Sequence, residues 1–203
     1  MGAIHFKEIL SGIAVALTFT AFIPYIRDIL KGKTKPHIFS WVIWGTTTFV
    51  VFLAQLEGHG GVGAWPLGVS GTMTIFIAIL AYVKRGNPTV TKIDWFFLIA
   101  ALLSLPLWHI TSDPLWAVVI LTVIDVLGFG PTIRKAYNFP HSESLLFFGL
   151  FAFRDFLVIL ALEHYSTTTV LFPATTSMAC FLLVTMIFYR RRGLALPKIN
   201  AVF

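Results

Sequence analysis

The chain is short of charge. Only 12% of its 203 residues are Asp, Glu, Lys or Arg, about half the share that a soluble domain of this size carries. Cysteine is scarcer still. The single Cys180 excludes an internal disulfide and leaves the redox compartment open. Among the acids and histidines there is no HExxH or other hydrolase spacing, and no glycine-rich nucleotide loop is present. All six histidines fall at or beyond the ends of apolar runs, so no ligand set for a metal is in view. These absences argue against an enzyme, a resident cofactor and a metal.

What fills the sequence is apolar: 57% hydrophobic residues and a mean hydropathy of +0.85. The apolar residues form seven runs, at about 9–30, 38–56, 64–83, 94–110, 114–134, 144–163 and 169–189. Each can cross a hydrocarbon layer about 30 Å thick as a helix. Barrel strands would be shorter and would alternate. The reading is an all-α integral membrane protein with seven transmembrane helices. The first run follows "MGAIHFKE" with no small-residue cleavage pattern after it, so it reads as a retained helix.

A net charge of +6 and a pI near 9.7 invite a nucleic-acid reading, but the basic residues sit at the ends of runs. Arg27, Lys31, Lys33 and Lys35 follow run one, Lys84, Arg85 and Lys92 run three, and Arg134 and Lys135 run five. Arg190, Arg191, Arg192 and Lys198 follow run seven, and the alternate loops "EGHGG", "HITSD" and "EHYSTTT" carry none. The positive-inside rule then places the N-terminus outside and the C-terminus in the cytoplasm, in a plasma (inner) membrane. Only Lys7 and Arg154 escape the scheme.

Residues 22–44, "FIPYIRDILKGKTKPHIFSWVIW", and 129–151, "FGPTIRKAYNFPHSESLLFFGLF", share their punctuation. An ungapped offset of 107 residues, from Pro24 to Pro131, aligns them and continues. Ile26-Arg27 meets Ile133-Arg134, Trp41 and Trp44 meet Phe148 and Phe151, and Pro66 meets Pro173. Further on, Ser70 meets Ser177, Tyr82 meets Tyr189, and Arg85-Gly86 meets Arg192-Gly193. Two copies of a three-helix unit follow: residues 1–86 and 113–193, joined by a linker helix in 87–112, with a cytoplasmic tail at 194–203. A single linker helix leaves the copies parallel, related by an axis along the membrane normal.

This order resembles the SWEET and PQ-loop transporter family over nearly the whole chain. The resemblance implies two three-helix bundles around a central cavity, alternating access, and prolines in the first helix of each unit. Pro24 and Pro131 would be paired hinges, since a proline inside a helix removes a backbone hydrogen bond and bends it. Glutamine after the proline is replaced by Tyr25 and Thr132. The sugar-contacting asparagines of SWEETs have Leu67 and Ala174 at the matching positions. The implied cargo is a small polar solute (sugar, amino acid, organic acid or vitamin), with the bilayer as the other partner. Nucleic acid is not a partner, and a homo-oligomer is left open.

Candidate solute contacts begin with charge near the midplane, which is costly and usually functional or paired. Asp125, Arg154 and Asp155 are such residues, and their repeat mates are Thr18, Thr47 and Thr48. Arg154 suits a carboxylate or phosphate, and Asp125 could exchange protons, resembling an acid of lysosomal proton-coupled PQ-loop amino-acid exporters. The alternative is a structural Asp125–Arg154 ion pair. Trp44 and its mate Phe151 offer planar cavity walls, while Trp41, Trp65, Trp95, Trp108 and Trp116 read as interface belts. Ser70/Ser177 and Met73/Cys180 are repeat-matched candidates one to two turns inside Pro66 and Pro173. Thr47 and Thr48 complete the set, although small hydroxyl residues often only let membrane helices approach.

Other classes compete. Rhodopsins need a lysine in the last helix, which run seven lacks, and receptors have no such repeat. The ER receptor for C-terminal retention signals shares the 3+1+3 plan, and "LFFGLFAFRDFLV" resembles its arginine-bearing helix; the first copy has Thr47 where a second arginine would be wanted. The topology itself is open to test. Tags at the two ends should be reachable from opposite faces of the membrane, and labelling of both from one face would remove the seven-span reading.

Overall fold

The computed structural model describes residues 2–32, 38–84, 92–138, 140 and 145–195. The described residues form seven α-helices and one short 3-10 turn, with no strand. They are α1 (Gly2–Leu30), α2 (Ile38–Glu57), the turn Gly61–Ala64, α3 (Trp65–Val83), α4 (Lys92–Thr111), α5 (Pro114–Asn138), α6 (Leu145–Ala161) and α7 (Thr167–Ala195). Each apolar run of the sequence falls on one helix, although α1 begins seven residues before run one and α7 ends six residues after run seven. A chain this apolar must satisfy its backbone groups locally, and the helix does so within one segment. Three stretches, His5–Leu30, Gly61–Val83 and Thr167–Arg192, are long and apolar enough to cross a membrane. Trp41–Glu57, Leu98–Thr111 and Pro114–Phe129 are shorter apolar helices.

Among the described residues, α3 packs against both α1 and α2, and α7 against both α5 and α6. The triplets are joined chiefly by α1 with α6 and α2 with α5, and also by α2 with α7 and the 3-10 turn with α6, while α4 lies along α5 and α2. Exchanging α1 with α5, α2 with α6 and α3 with α7 maps the contacts within the triplets, and the α1–α6 and α2–α5 contacts, onto one another; α4, on α5 and α2, and the smaller α2–α7 contact have no counterpart. The exchange is the same one that the 107-residue offset makes in the sequence. A common core runs through the bundle, with Ala14, Val51, Leu67, Leu121, Val158 and Phe172 in one buried cluster.

Close approach fixes α2 against α3. A Cβ on Gly71 would stand 3.0 Å from the Cα and N of Phe49, and one on Gly45 would stand 2.8 Å from Ile75 Cγ1. Lacking a side chain there, the two backbones come together, as small residues allow in apolar surroundings. In the second triplet the equivalent seam uses a hydrogen bond. Ser177 Oγ donates to the Ala152 carbonyl at 2.8 Å, and these residues are the offset mates of Ser70 and Gly45. Interior hydroxyls are otherwise satisfied on their own helices: Thr18 donates to Ala14 O at 2.9 Å, Thr122 to Val118 O at 2.7 Å and Thr176 to Phe172 O at 2.7 Å. This back-bonding to the preceding turn is how such side chains live inside helices.

The glycine seam is testable. Gly71→Leu should lower stability by about 1–3 kcal/mol, the usual cost of overpacking, seen as a drop in melting temperature of the purified protein. Gly12→Ala, whose new methyl meets nothing within 4 Å, should not lower it.

Candidate functional site

Three charged side chains are buried together in the second triplet: Asp125 on α5 is 7% exposed, and Arg154 and Asp155 on α6 are 3% and 1% exposed. Arg154 Nη2 donates to Asp155 Oδ1 in a short charge-assisted bond. Its guanidinium carbon also lies 4.6 Å from the centroid of the Phe151 ring, a cation–π contact. Arg154 is therefore paired with its sequence neighbour and not with Asp125, which corrects the ion pair considered from sequence. The reason is the packing. Among the described residues α7 packs extensively on both α5 and α6, and α5 and α6 share no extensive contact of their own. Asp125 remains within electrostatic reach of Arg154 and Asp155, and Cys180 of α7 within reach of all three.

The pair leaves polar atoms over. Arg154 Nε and Nη1 and Asp155 Oδ2 are buried without a hydrogen-bond partner. Each such group costs about 1–3 kcal/mol. Trp44 of α2 bounds the same region from the other triplet. Its Nε1 lies 3.1 Å from where a Cβ on Gly128 would stand, and Gly128 is one turn beyond Asp125 on the same face of α5.

The remaining sequence candidates divide. Thr47 is buried and donates to Trp44 O at 3.0 Å on its own helix, and the hydroxyl of Ser177 is engaged by α6. Thr48, Ser70 and Cys180 are buried. Met73 packs with Phe22, Trp41 and Ile77 in a cluster that Trp44 and Phe151 also join. Trp41 belongs to that cluster too. It is 7% exposed, with ring centroids 5.0 Å from Tyr25, 5.8 Å from Trp44 and 6.3 Å from Phe22, so the belt reading is corrected for it. Trp65, Trp95 and Trp116 are more than half exposed. Pro24 lies inside α1 and lines a cleft of about 380 Å³ with Ile23, Arg27, Asp28 and Lys31. Pro131 falls within α5, and its side chain lies outside the described residues.

Both ends of the bundle are closed by contacts between the triplets. At the basic end, Phe151 of α6 stacks on Phe22 of α1 at 5.5 Å and on Phe147 at 4.7 Å. At the opposite end the ties are polar. Lys7 Nζ donates to Leu162 O at 2.6 Å and Val62 N to Glu163 Oε1 at 3.0 Å, while within the first triplet Ser11 Oγ holds the turn by donating to Val62 O at 2.6 Å. Glu163 N donates to Gly60 O at 3.0 Å. Gly61 makes this possible: its φ is +61°, and a Cβ there would stand 2.0 Å from the Glu163 carboxyl carbon. Gln55 Nε2 donates to Thr169 O at 2.6 Å, while its buried Oε1 has no partner.

Lys7, Gln55 and Glu163 were not among the sequence candidates. Two signals marked them. Lys7 broke the charge pattern, and it now places a cation on the last carbonyls of α6, where the helix dipole favours one. Gln55 is the one amide side chain inside an apolar run, and its offset mate is Leu162. Among the described residues, no three His, Cys, Asp or Glu side chains gather as a metal would require. Comparison of the chain with models of known families, with curated proteins and with solved structures returned no match.

Removing one partner of a buried pair strands the other. Asp155→Asn alone should cost about 3–5 kcal/mol, whereas Arg154→Gln with Asp155→Asn should recover most of that loss. Melting curves of the single and double variants check this, and equal losses in both would mean the pair is not the stabilising unit.

Proposed function

We propose that the chain is a seven-span membrane transporter on the SWEET-like 3+1+3 plan, moving a small polar solute by alternating access. In this reading α1–α3 and α5–α7 are the two parallel units, α4 is the linker, and the solute binds between the units at Asp125, Arg154, Asp155 and Trp44. The observation that carries it is the shared symmetry of sequence and packing: one offset relates the two copies, and one exchange of helices relates their contacts. Large apolar side chains stand exposed on the outer helices, among them Ile9, Ile23, Leu103, Ile110 and Phe181. Patches of this kind need a cover that water cannot supply, and a bilayer supplies it.

Charge buried at the join between units fits a solute site better than a structural element, since the first copy has only threonines at the mate positions. The aromatic closure at one end and the polar clasp at the other would be the two gates, both shut in this conformation. Opening either while the other holds is alternating access, and Pro24 and Pro131 would supply the bend. The orientation follows the basic loops, with the N-terminus outside in a plasma (inner) membrane. The cargo-receptor reading fares worse, because the arginine it needs for a free carboxylate already answers Asp155.

Counterflow uptake into proteoliposomes, run with labelled sugars, amino acids, organic acids and vitamins, tests the proposal. One class should accumulate. Pro24→Ala should fold normally and slow that flux by roughly tenfold, equivalent to about 1.4 kcal/mol in the barrier. Absence of flux for every class would sink the transporter reading.

A further inference from the structure

We infer that the buried centre selects a small organic cation bearing N–H donors and a neighbouring oxygen, an amino alcohol in its ammonium form being the simplest case. The inference rests on the reading of this centre as the solute site. It departs from the role that the sequence suggested for Arg154, recognition of an anion.

The first argument is a charge inventory. Two carboxylates, Asp125 and Asp155, share the buried region with one guanidinium. When all three are ionised, one negative unit is in excess. Arg154 and Asp155 neutralise one another, so the pair offers an incoming anion little, while Asp125 would repel it. In surroundings that screen poorly, that repulsion is strong. A cation meets the opposite balance, with Asp125 as its counter-charge. No hydrogen bond or ion pair to another side chain holds Asp125 among the described residues.

The second argument is the set of unpartnered atoms. Asp155 Oδ2 is a buried acceptor with no hydrogen bond of its own. The Thr176 hydroxyl stands close to this carboxylate but donates to Phe172 O at 2.7 Å, so an N–H of the solute can satisfy Oδ2. Arg154 Nε and Nη1 are buried donors with no acceptor. A second anion is disfavoured there, and a neutral hydroxyl or carbonyl oxygen is not. The solute thus needs a charged donor group and an oxygen a few bonds away. Trp44 bounds the region from α2: its Nε1 edge lies against Gly128, one turn past Asp125.

Three probes of nearly equal size separate charge from shape: ethanolamine, ethylene glycol and glycolate. Thermal-shift titrations of the purified protein should give a saturable shift with ethanolamine and none at matched concentration with the other two. Asp125→Asn should weaken ethanolamine at least tenfold. Removing the neutral pair together, Arg154→Gln with Asp155→Asn, should keep the preference for ethanolamine over glycolate. Asp125→Asn with Asp155→Asn leaves Arg154 alone and should turn the preference to glycolate. Every variant is read only where its melting curve is cooperative, and the wild-type probe series decides even if a variant fails to fold. No saturable shift with ethanolamine, an equal shift with ethylene glycol or glycolate, or unchanged binding in folded Asp125→Asn each overturns the inference. Proteoliposome flux is measured in parallel. Ethanolamine binding without flux keeps the inference and sinks the transporter reading; flux of other solutes with no ethanolamine binding does the reverse.

Discussion

A guanidinium held away from water must be answered within a few ångströms, and the answer decides what else its surroundings can do. Arg154 finds its counter-ion one residue along its own helix. The pair is therefore self-contained, and it demands nothing of α5. That leaves Asp125 without an ion pair, though within electrostatic reach of both. Had Arg154 reached Asp125, the two helices would be pinned together and Asp155 would be the carboxylate left over. The geometry instead places a fixed neutral pair beside a lone carboxylate.

The same economy of charge governs the ends. Where the basic loops lie, the triplets meet through rings: Phe22, Trp41, Phe147 and Phe151 interlock at centroid distances of 4.7–6.3 Å. Such contacts are non-directional enough to slide and re-form. At the other end the meeting is through hydrogen bonds to specific carbonyls and amides, from Lys7, Gln55 and Glu163. These are directional and break within a small displacement. The two closures thus resist opening in different ways, one through apolar burial and one through bond geometry.

Much of the architecture was legible in residue order. Continuous apolar runs located the seven helices, since a segment of that length and composition has few other ways to satisfy its backbone. The offset of Pro24 and Pro131 anticipated which helices would pack alike. The charged candidates Asp125, Arg154 and Asp155 stood out because an ionisable group in an apolar run carries a cost that needs a reason. What order did not carry was the pairing. Asp125–Arg154 and Arg154–Asp155 look equally plausible on paper, and Trp41 looks like an interface residue until Phe22 and Tyr25 close on it. The polar clasp was equally hidden, because its bonds run to backbone atoms of loops that are distant in the chain.

By itself, then, the sequence determined the helical character of the chain and the place of each helix, because hydrophobic length is a local property. Only the tertiary structure decided that α3 and α7 sit between their neighbours, that Arg154 turns to Asp155, and that Trp44 closes over the Asp125 face of α5. Those outcomes depend on which helix surfaces approach most closely. Here that is set by atoms that are missing, the side chains of Gly45, Gly71 and Gly128, and a missing side chain announces no partner until the helices have packed.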